Sequence, residues 1–177
     1  MNYILIMTEG SDEKALIDVL IEKRIFKFEL KELLFEQTFH QRQIDDGMLL
    51  MIRQLPFEDK VIVYRVGDKL KDKLDIRRND IPGKIIAVYD VCTLPELEML
   101  FIINEGLFDD YKKVKSNLSP SEYYKSKNKS YKKQRVFVRD YFDKMDAEEI
   151  KRLFKQYCEK RRKVHNKNQY SLLDLLK

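Results

Sequence analysis

The stretch that most constrains the fold is residues 3–20, which predicts a buried strand, a tight turn and an amphipathic helix. Residues 3–7 form a short apolar run, as expected for a central strand that is covered on both faces of a parallel sheet. Gly10 permits a sharp turn, and Ser11 is the expected N-cap of the helix. Glu9 is therefore expected at the carboxyl edge of a sheet, where open α/β folds keep their functional sites.

Strand and helix patterns continue to alternate as far as residue 105, and the remainder predicts helices. This order predicts an α/β fold with a mostly parallel four-stranded sheet and helices on both faces. We expect an α/β domain over residues 1–105 and a basic helical extension over residues 106–177, packed on it. The expected strands after the first are residues 33–38, 60–66 and 84–91. The expected helices begin near residues 12, 43, 69, 93, 119 and 146, and residues 170–176 are expected to form a docking tail. Thr93, Ser119 and Asp146 are the expected N-caps of three of these helices, each with a glutamate three residues later that completes a capping box, and Gly106 is an expected C-cap.

Charge is divided unevenly along the chain. Residues 112–177 hold 20 Lys and Arg against 8 Asp and Glu, whereas residues 1–111 hold 15 against 22. A basic second part predicts a polyanionic partner such as nucleic acid, although a solvated basic surface without such a role explains the same counts. No apolar run approaches the roughly 18 residues of a membrane span, so no membrane association is expected. Cys92 and Cys158 have no metal-type spacing and are typical of a reducing cytoplasm.

Carboxylates follow several of the expected strands. Glu9 and Glu13 flank the first turn, Asp68 follows the third strand, and Glu98 opens the helix after the fourth. Carboxylates gathered at one sheet edge would hold Mg²⁺ or Mn²⁺, which prefer oxygen ligands. The alternative is that Glu13 complements the helix dipole and Glu9 is a solvated turn residue. Carboxylates that converge from separate elements repel one another unless a cation or basic side chains compensate them.

Residues 112–139 form a basic segment with ten Lys or Arg and one acid, Glu122. Basic side chains neutralise phosphates, and interleaved aromatic rings stack on unpaired bases, so the segment predicts contact with nucleic acid. The alternative is a mobile, solvated surface loop. The predicted contact residues are Lys112, Lys113, Lys115, Lys125, Lys127, Lys129, Lys132, Lys133, Arg135, Arg139, Tyr123, Tyr124 and Tyr131.

Residues 4–16, Ile-Leu-Ile-Met-Thr-Glu-Gly-Ser-Asp-Glu-Lys-Ala-Leu, resemble the first motif of Toprim domains, a strand followed by Glu-Gly-x-x-Glu/Asp and a helix. A second acid four residues after the first resembles the overcoming-lysogenization-defect (OLD) nucleases and small stand-alone Toprim proteins. The resemblance makes Glu9 the motif glutamate and Glu13 the second acid. Asp68 matches the first aspartate of the second motif, Asp-x-Asp, but Leu70 occupies the position of the second. Glu98 matches a later acid of some relatives.

The resemblance implies a nucleic-acid-binding protein that cuts phosphodiesters with Mg²⁺ or Mn²⁺, linked to defence against mobile DNA or carried by such DNA. Glu9, Asp68 and Glu98 would hold metal, and Glu13 would hold a second ion or act through water as a base. Leu70 supports the alternative of a non-catalytic nucleic-acid-binding or protein-interaction module with a degenerate metal site. In a third hypothesis the basic helices dock an acidic protein partner.

Overall fold

The computed structural model describes residues 1–67, 74, 81–93, 96–160 and 169–177. Strands and helices alternate in the first part of the chain, helices follow one another in the second, and a short strand lies near the end. The elements are β1 (Asn2–Thr8), α1 (Ser11–Glu22), β2 (Phe39–His40), α2 (Asp46–Arg53), β3 (Lys60–Gly67), β4 (Ile85–Cys92), α3 (Glu98–Asn104), α4 (Phe108–Val114), α5 (Pro120–Lys127), α6 (Arg135–Asp143), α7 (Ala147–Lys160) and β5 (Gln169–Tyr170).

The strands form one sheet in the order β2-β1-β3-β4-β5, and every neighbouring pair is parallel. The predicted parallel α/β architecture is therefore confirmed. In this strand order the chain changes direction across the sheet between β1 and β3, which is the point where doubly wound folds open a crevice for ligands. The short β5 adds a strand that the sequence did not predict, because its two residues carry no strand pattern of their own.

Side chains alternate between two apolar clusters, one on each face of the sheet. Leu5 of β1 and Val63 of β3 pack with α2 on one face. Ile6 and Val66 pack on the other face in a cluster that also contains buried residues of α1 and of α3 to α7. Helices on both faces are thus confirmed. The helical part after residue 105 packs on the α/β part through this shared cluster.

The predicted strand at residues 33–38 is wrong over most of its length. Two 3₁₀ turns, Leu30–Glu32 and Leu34–Glu36, occupy this region, and only Phe39–His40 pairs as a strand. Phe35 and Glu36 have φ of 55° and 53°, in the left-handed region. An extended strand cannot continue through such a backbone.

Several helix-end predictions are confirmed, but the predicted N-cap of α3 is wrong. Ser119 and Glu122 form the predicted reciprocal capping box of α5. Gly106 follows α3 with a φ of 70°, the left-handed conformation that ends many helices. However, α3 begins at Glu98 with Leu97 as N-cap, so Thr93 is not its cap. The Glu96 carboxylate accepts a hydrogen bond from the backbone N–H of Ser121 instead (3.3 Å), because α5 packs against the start of α3.

Phe101 provides a test of the shared core, because it is fully buried and its ring contacts aromatic rings of α5 and α6. We expect Phe101→Ala to lower the free energy of unfolding by about 3–5 kcal/mol. Phe57→Ala is the control, because the Phe57 side chain is 87% exposed and its loss should cost less than about 0.5 kcal/mol. Urea unfolding should give one transition by circular dichroism and by tyrosine fluorescence. Two separate transitions would contradict a shared core.

Candidate functional site

The carboxyl ends of β1, β3 and β4 lie side by side at one edge of the sheet. The backbone N–H of Glu9 donates to the carbonyl of Val66 (2.9 Å), and that of Thr93 donates to the carbonyl of Gly67 (3.0 Å). These bonds extend the ladder just past the strand ends. Glu9 therefore leaves the sheet at the switch between β1 and β3, as the sequence predicted.

Glu9 is engaged by a basic side chain that the sequence analysis did not single out. Its carboxylate lies 2.7 Å from the guanidinium of Arg42, in the connection between β2 and α2, and the Glu9 side chain is only 14% exposed. The His40 ring lies 3.2 Å from the Glu9 carbonyl. Arg42 thus balances one of the acids at this edge.

Gly10 has a different role from the predicted one. Its φ of −117° is open to any residue, and Gly10 itself is the N-cap of α1, so Ser11 is not the cap. A Cβ added at Gly10 would lie 2.1 Å from a carboxylate oxygen of Glu13. The Glu13 side chain therefore folds back over the turn, and the glycine leaves room for it.

Glu98 is the most deeply buried acid at this edge, with 2% of its surface exposed. The Tyr131 hydroxyl donates to its carboxylate (2.6 Å), and the Lys133 ammonium lies 3.6 Å from the same oxygen. Burial raises the pKa of Tyr131, and the bond to Glu98 raises it further, so the phenol keeps the proton it donates. Both partners of Glu98 come from the basic segment.

Lys133 lies among acids from two separate elements. Partial burial alone would lower the pKa of Lys133, but the surrounding carboxylates outweigh burial and raise it. Two of these acids belong to the first turn of α1, and two lie at the start of α3. The four are Asp12, Glu13, Glu96 and Glu98. We call this set the acid group.

Within the acid group, the surroundings of Asp12 disfavour its charged form. Partial burial raises the pKa of the Asp12 carboxyl, and the neighbouring Glu98 carboxylate raises it further. The hydrogen bond from Ser11 and the charge of Lys133 act in the opposite direction without cancelling the rise. Together with Glu9, the described residues of this edge include five acids, of which Glu9 pairs with Arg42 and Glu98 lies near Lys133.

The predicted metal ligands are not assembled by the residues that the structure describes. Asp68 and Leu70 lie outside them. Within the described ranges, no group of three or more His, Cys, Asp or Glu side chains could hold a metal ion. Glu9 and Glu98 each pair with a cation of the protein. These two residues alone do not fit Mg²⁺ or Mn²⁺, and the predicted set depends on Asp68.

The three tyrosines of the basic segment lie inside the protein. Tyr123, Tyr124 and Tyr131 are 3%, 0% and 5% exposed. Tyr124 hydrogen-bonds to Glu105, and Tyr131 to Glu98. A base can stack only on an accessible ring, so these rings are not available for the predicted stacking in this conformation. The eight residues of α5 are too few for periodicity alone to show which face is buried.

The basic side chains of the segment fall into two sets. Lys112 and Lys113 pair with Asp109 and Asp110, Arg135 and Arg139 approach acids of α1, and Lys133 faces the acid group. The other five lysines are exposed and form no ion pair with a residue of the described ranges. These five, here called the lysine surface, are Lys115, Lys125, Lys127, Lys129 and Lys132.

The sequence analysis missed Arg42 altogether and placed Lys133 among the nucleic-acid contacts. The available signal was the excess of acids expected at one edge, since such acids need basic partners if no metal ion is bound. This excess of acids does not reveal which of the many basic residues supply the positive charge.

No family model, curated protein or solved structure matches the chain. Within the described residues, no helix is both long enough and apolar enough to cross a membrane.

Asp12 gives a pH test of the acid group. Its pKa is raised in the folded protein, so folding favours the protonated carboxyl and stability is lost as pH rises through the folded pKa. Asp12→Asn cannot ionise. The stability of this variant relative to the wild type should therefore increase from about pH 3 to about pH 7. Any effect of the substitution on stability that does not depend on pH is the same at every pH, so it does not alter this trend.

Urea unfolding at several pH values measures this difference. Asp140→Asn, on the exposed side of α6, controls for the general loss of one negative charge. A relative stability of Asp12→Asn that falls with rising pH would show that the carboxylate of Asp12 is favoured by its surroundings, contrary to the description above.

Proposed function

We propose that the chain binds nucleic acid through the lysine surface. The observation that carries this proposal is that five exposed lysines within 18 residues of sequence are left without an acidic partner among the described residues. Lysine heads with no acidic partner are suited to phosphates, because neutralising a phosphate releases its counterions. The parallel α/β fold agrees with what the Toprim resemblance implies, and the resemblance itself rests on the residues of the first motif.

Ordered structure supports this function over the alternative of a mobile, solvated loop. Tyr123 and Tyr124 hold one side of α5 in the core, while Lys125 extends into solvent and the Lys127 ammonium lies 5.6 Å from the centre of the Tyr123 ring. A capping box fixes the start of this helix. These two lysines are therefore presented from a packed element, which lowers the conformational entropy lost when a ligand binds. The other three lie in the connections before and after α5.

The distribution of charge favours the lysine surface over the carboxyl edge as the place of contact. The described residues of the edge bring five acids together, and carboxylates repel phosphates unless cations compensate them. The buried tyrosine rings offer no stacking platform for bases. Binding through phosphates alone carries no sequence information. We expect nucleic-acid binding that is independent of sequence and strongly dependent on salt.

The lysine surface can be tested against a matched set of lysines. Replacing Lys125 and Lys129 with Gln should weaken binding to labelled oligonucleotides. It should also reduce the slope of log K against log salt by roughly 0.7–0.9 for each phosphate that the variant no longer neutralises. Lys112→Gln with Lys113→Gln is the control, because those lysines already pair with Asp109 and Asp110 and should matter less. Fluorescence anisotropy at several salt concentrations gives both quantities.

Equal effects of the two sets would show that only total charge matters, and binding unaffected by either set would refute the lysine surface. An acidic polypeptide serves as the competitor for the alternative of an acidic protein partner. If poly-glutamate binds and oligonucleotides do not, the partner is an acidic protein.

A second candidate function is cleavage of phosphodiesters at the carboxyl edge. It is favoured by the position of Glu9 at the switch between β1 and β3, where this class of fold keeps its sites. The resemblance to OLD nucleases extends this candidate to Mg²⁺- or Mn²⁺-dependent cleavage and to defence against mobile DNA. Because the described residues do not assemble a metal site, no catalytic step follows from the geometry.

Incubation of single- and double-stranded oligonucleotides with Mg²⁺ or Mn²⁺ tests this candidate. If the protein is a nuclease, cleavage should require the metal and should be lost in Glu9→Ala. The Asp140→Asn variant, altered on the exposed side of α6, should cleave as the wild type does. Absence of cleavage with either metal would leave a nucleic-acid-binding protein without this activity, which is the non-catalytic alternative.

A further inference from the structure

A cavity of about 730 Å³ lies between one flank of α1 and the segment that leads to β2. One side is lined by Lys14, Asp18, Ile21 and Glu22, which follow one another along α1 at helical spacing. The other side is lined by residues between 24 and 38. It shares no residue with the acid group and does not include Glu9. Its volume is within the range of about 300–1,000 Å³ that is typical of small-molecule sites.

Part of the cavity wall is apolar. Ile21 of α1 faces Phe28, Leu30 and Leu33 of the opposite segment, whereas the other ten lining residues are polar or charged. Leu30 is 47% exposed and lies at the boundary with solvent. Ligand pockets usually combine such an apolar surface with polar groups that fix the orientation of the ligand.

A hydrogen-bonded trio fixes the polar end. The Lys14 ammonium donates to the carboxylate of Asp18 (2.7 Å) and to the hydroxyl of Thr38 (2.8 Å), and that hydroxyl donates to the other oxygen of Asp18 (2.5 Å). Thr38 is only 4% exposed. An ammonium has three N–H donors, so these two bonds leave one for a ligand. The trio therefore offers a positioned cationic donor inside the cavity.

The charges of the cavity lining balance, with four bases and four acids, and two arginines from outside the lining pair with two of these acids. Asp18 has Arg135 at 3.9 Å in addition to Lys14, and Glu22 pairs with Arg139. The hydrogen bond from Lys31 lowers the pKa of Glu29, and the charges of Lys31, Lys177 and Arg24 lower it further. The lining and its ion-pair partners comprise the bases Lys14, Arg24, Lys31, Arg135, Arg139 and Lys177 and the acids Asp18, Glu22, Glu29 and Glu36.

The backbone around the cavity is strained at the three non-glycine residues with positive φ in the described part of the chain. Arg24 and Glu36 line the cavity, and Phe35 precedes Glu36, with φ of 55°, 53° and 55°. L-residues adopt this conformation at a cost of about 1–3 kcal/mol each, and such residues cluster at ligand sites. Arg24 has this conformation where α1 ends, as is common at helix C-termini, so the unfavourable backbone of the segment that faces α1 is at Phe35 and Glu36.

We propose that this cavity binds a small organic anion with an apolar body, the anionic group at the Lys14–Asp18–Thr38 trio and the body against Ile21, Phe28 and Leu33. A binding site here is separate from the proposed nucleic-acid function and does not depend on it. The cavity is large enough for an aromatic or alkyl body, and a bare inorganic anion would leave the apolar walls uncovered.

A pair of fluorescent dyes that differ by one charged group tests this site. Anilinonaphthalene sulfonate is an aromatic anion, and phenylnaphthylamine is its neutral counterpart. We expect both to bind saturably to the full chain. Lys14→Met should weaken binding of the sulfonate by about tenfold or more, as expected for the loss of a hydrogen bond to a charged group. It should leave the affinity for the neutral dye unchanged. Ile21→Trp, which fills the cavity, should weaken both.

Lys113→Met is the matched control, because Lys113 also pairs with an aspartate but lies on α4, outside the cavity. This variant should not change the affinity for either dye. Inorganic phosphate at millimolar concentration should not displace the sulfonate, because it lacks the apolar body. Circular dichroism checks that each variant is folded. If Lys14→Met is not folded, dye binding by Ile21→Trp decides the outcome. Dye binding that survives Ile21→Trp, or equal loss of both dyes in Lys14→Met, would refute the proposal.

Discussion

The interaction of Lys133 with the acid group links the two parts of this molecule. Two of the acids follow β1 and two follow β4, and parallel strands bring all four to the same edge of the sheet. Their mutual repulsion requires positive charge. The basic segment supplies it through Lys133, and Tyr131 adds a hydrogen bond to the most buried acid. Tyr131 also packs against Phe101, so the same short stretch joins the helical core.

This arrangement divides the basic segment between an internal and an external role. Lys133, Arg135 and Arg139 approach acids near α1 and α3, while the lysine surface remains open to solvent. A simple count of basic residues would therefore overstate the charge that a nucleic acid meets. Basic residues of the segment are also engaged near the cavity beside α1, where Arg135 and Arg139 of α6 pair with Asp18 and Glu22.

The sequence predicted the features that depend on local pattern or on strand order. The parallel sheet follows from alternating elements, and the position of Glu9 follows from the end of a buried strand. The capping box at Ser119 follows from side chains three residues apart. Each of these is decided within a few residues or by a general rule of parallel sheets.

Features decided by tertiary contacts were not predicted. The left-handed backbone at Phe35 and Glu36 replaces a strand, yet neither residue type signals it. β5 forms only because the chain returns to the side of β4. Tyr124 and Tyr131 lie inside because α3 provides an aromatic partner, Phe101, which is distant in sequence, and Tyr123 packs against Tyr111 of α4. Lys133 differs from its neighbours only in the acids it meets, and sequence order does not reveal them.

A double-mutant cycle between Lys133 and Glu98 tests the central claim most directly, since it measures whether the basic segment neutralises the acidic edge. Unfolding free energies are measured for the wild type, Lys133→Met, Glu98→Gln and the double variant. We predict that Lys133→Met costs less in the Glu98→Gln background, with a coupling of about 0.5 kcal/mol or more that decreases at high salt. Additive effects of the two substitutions would contradict the claim.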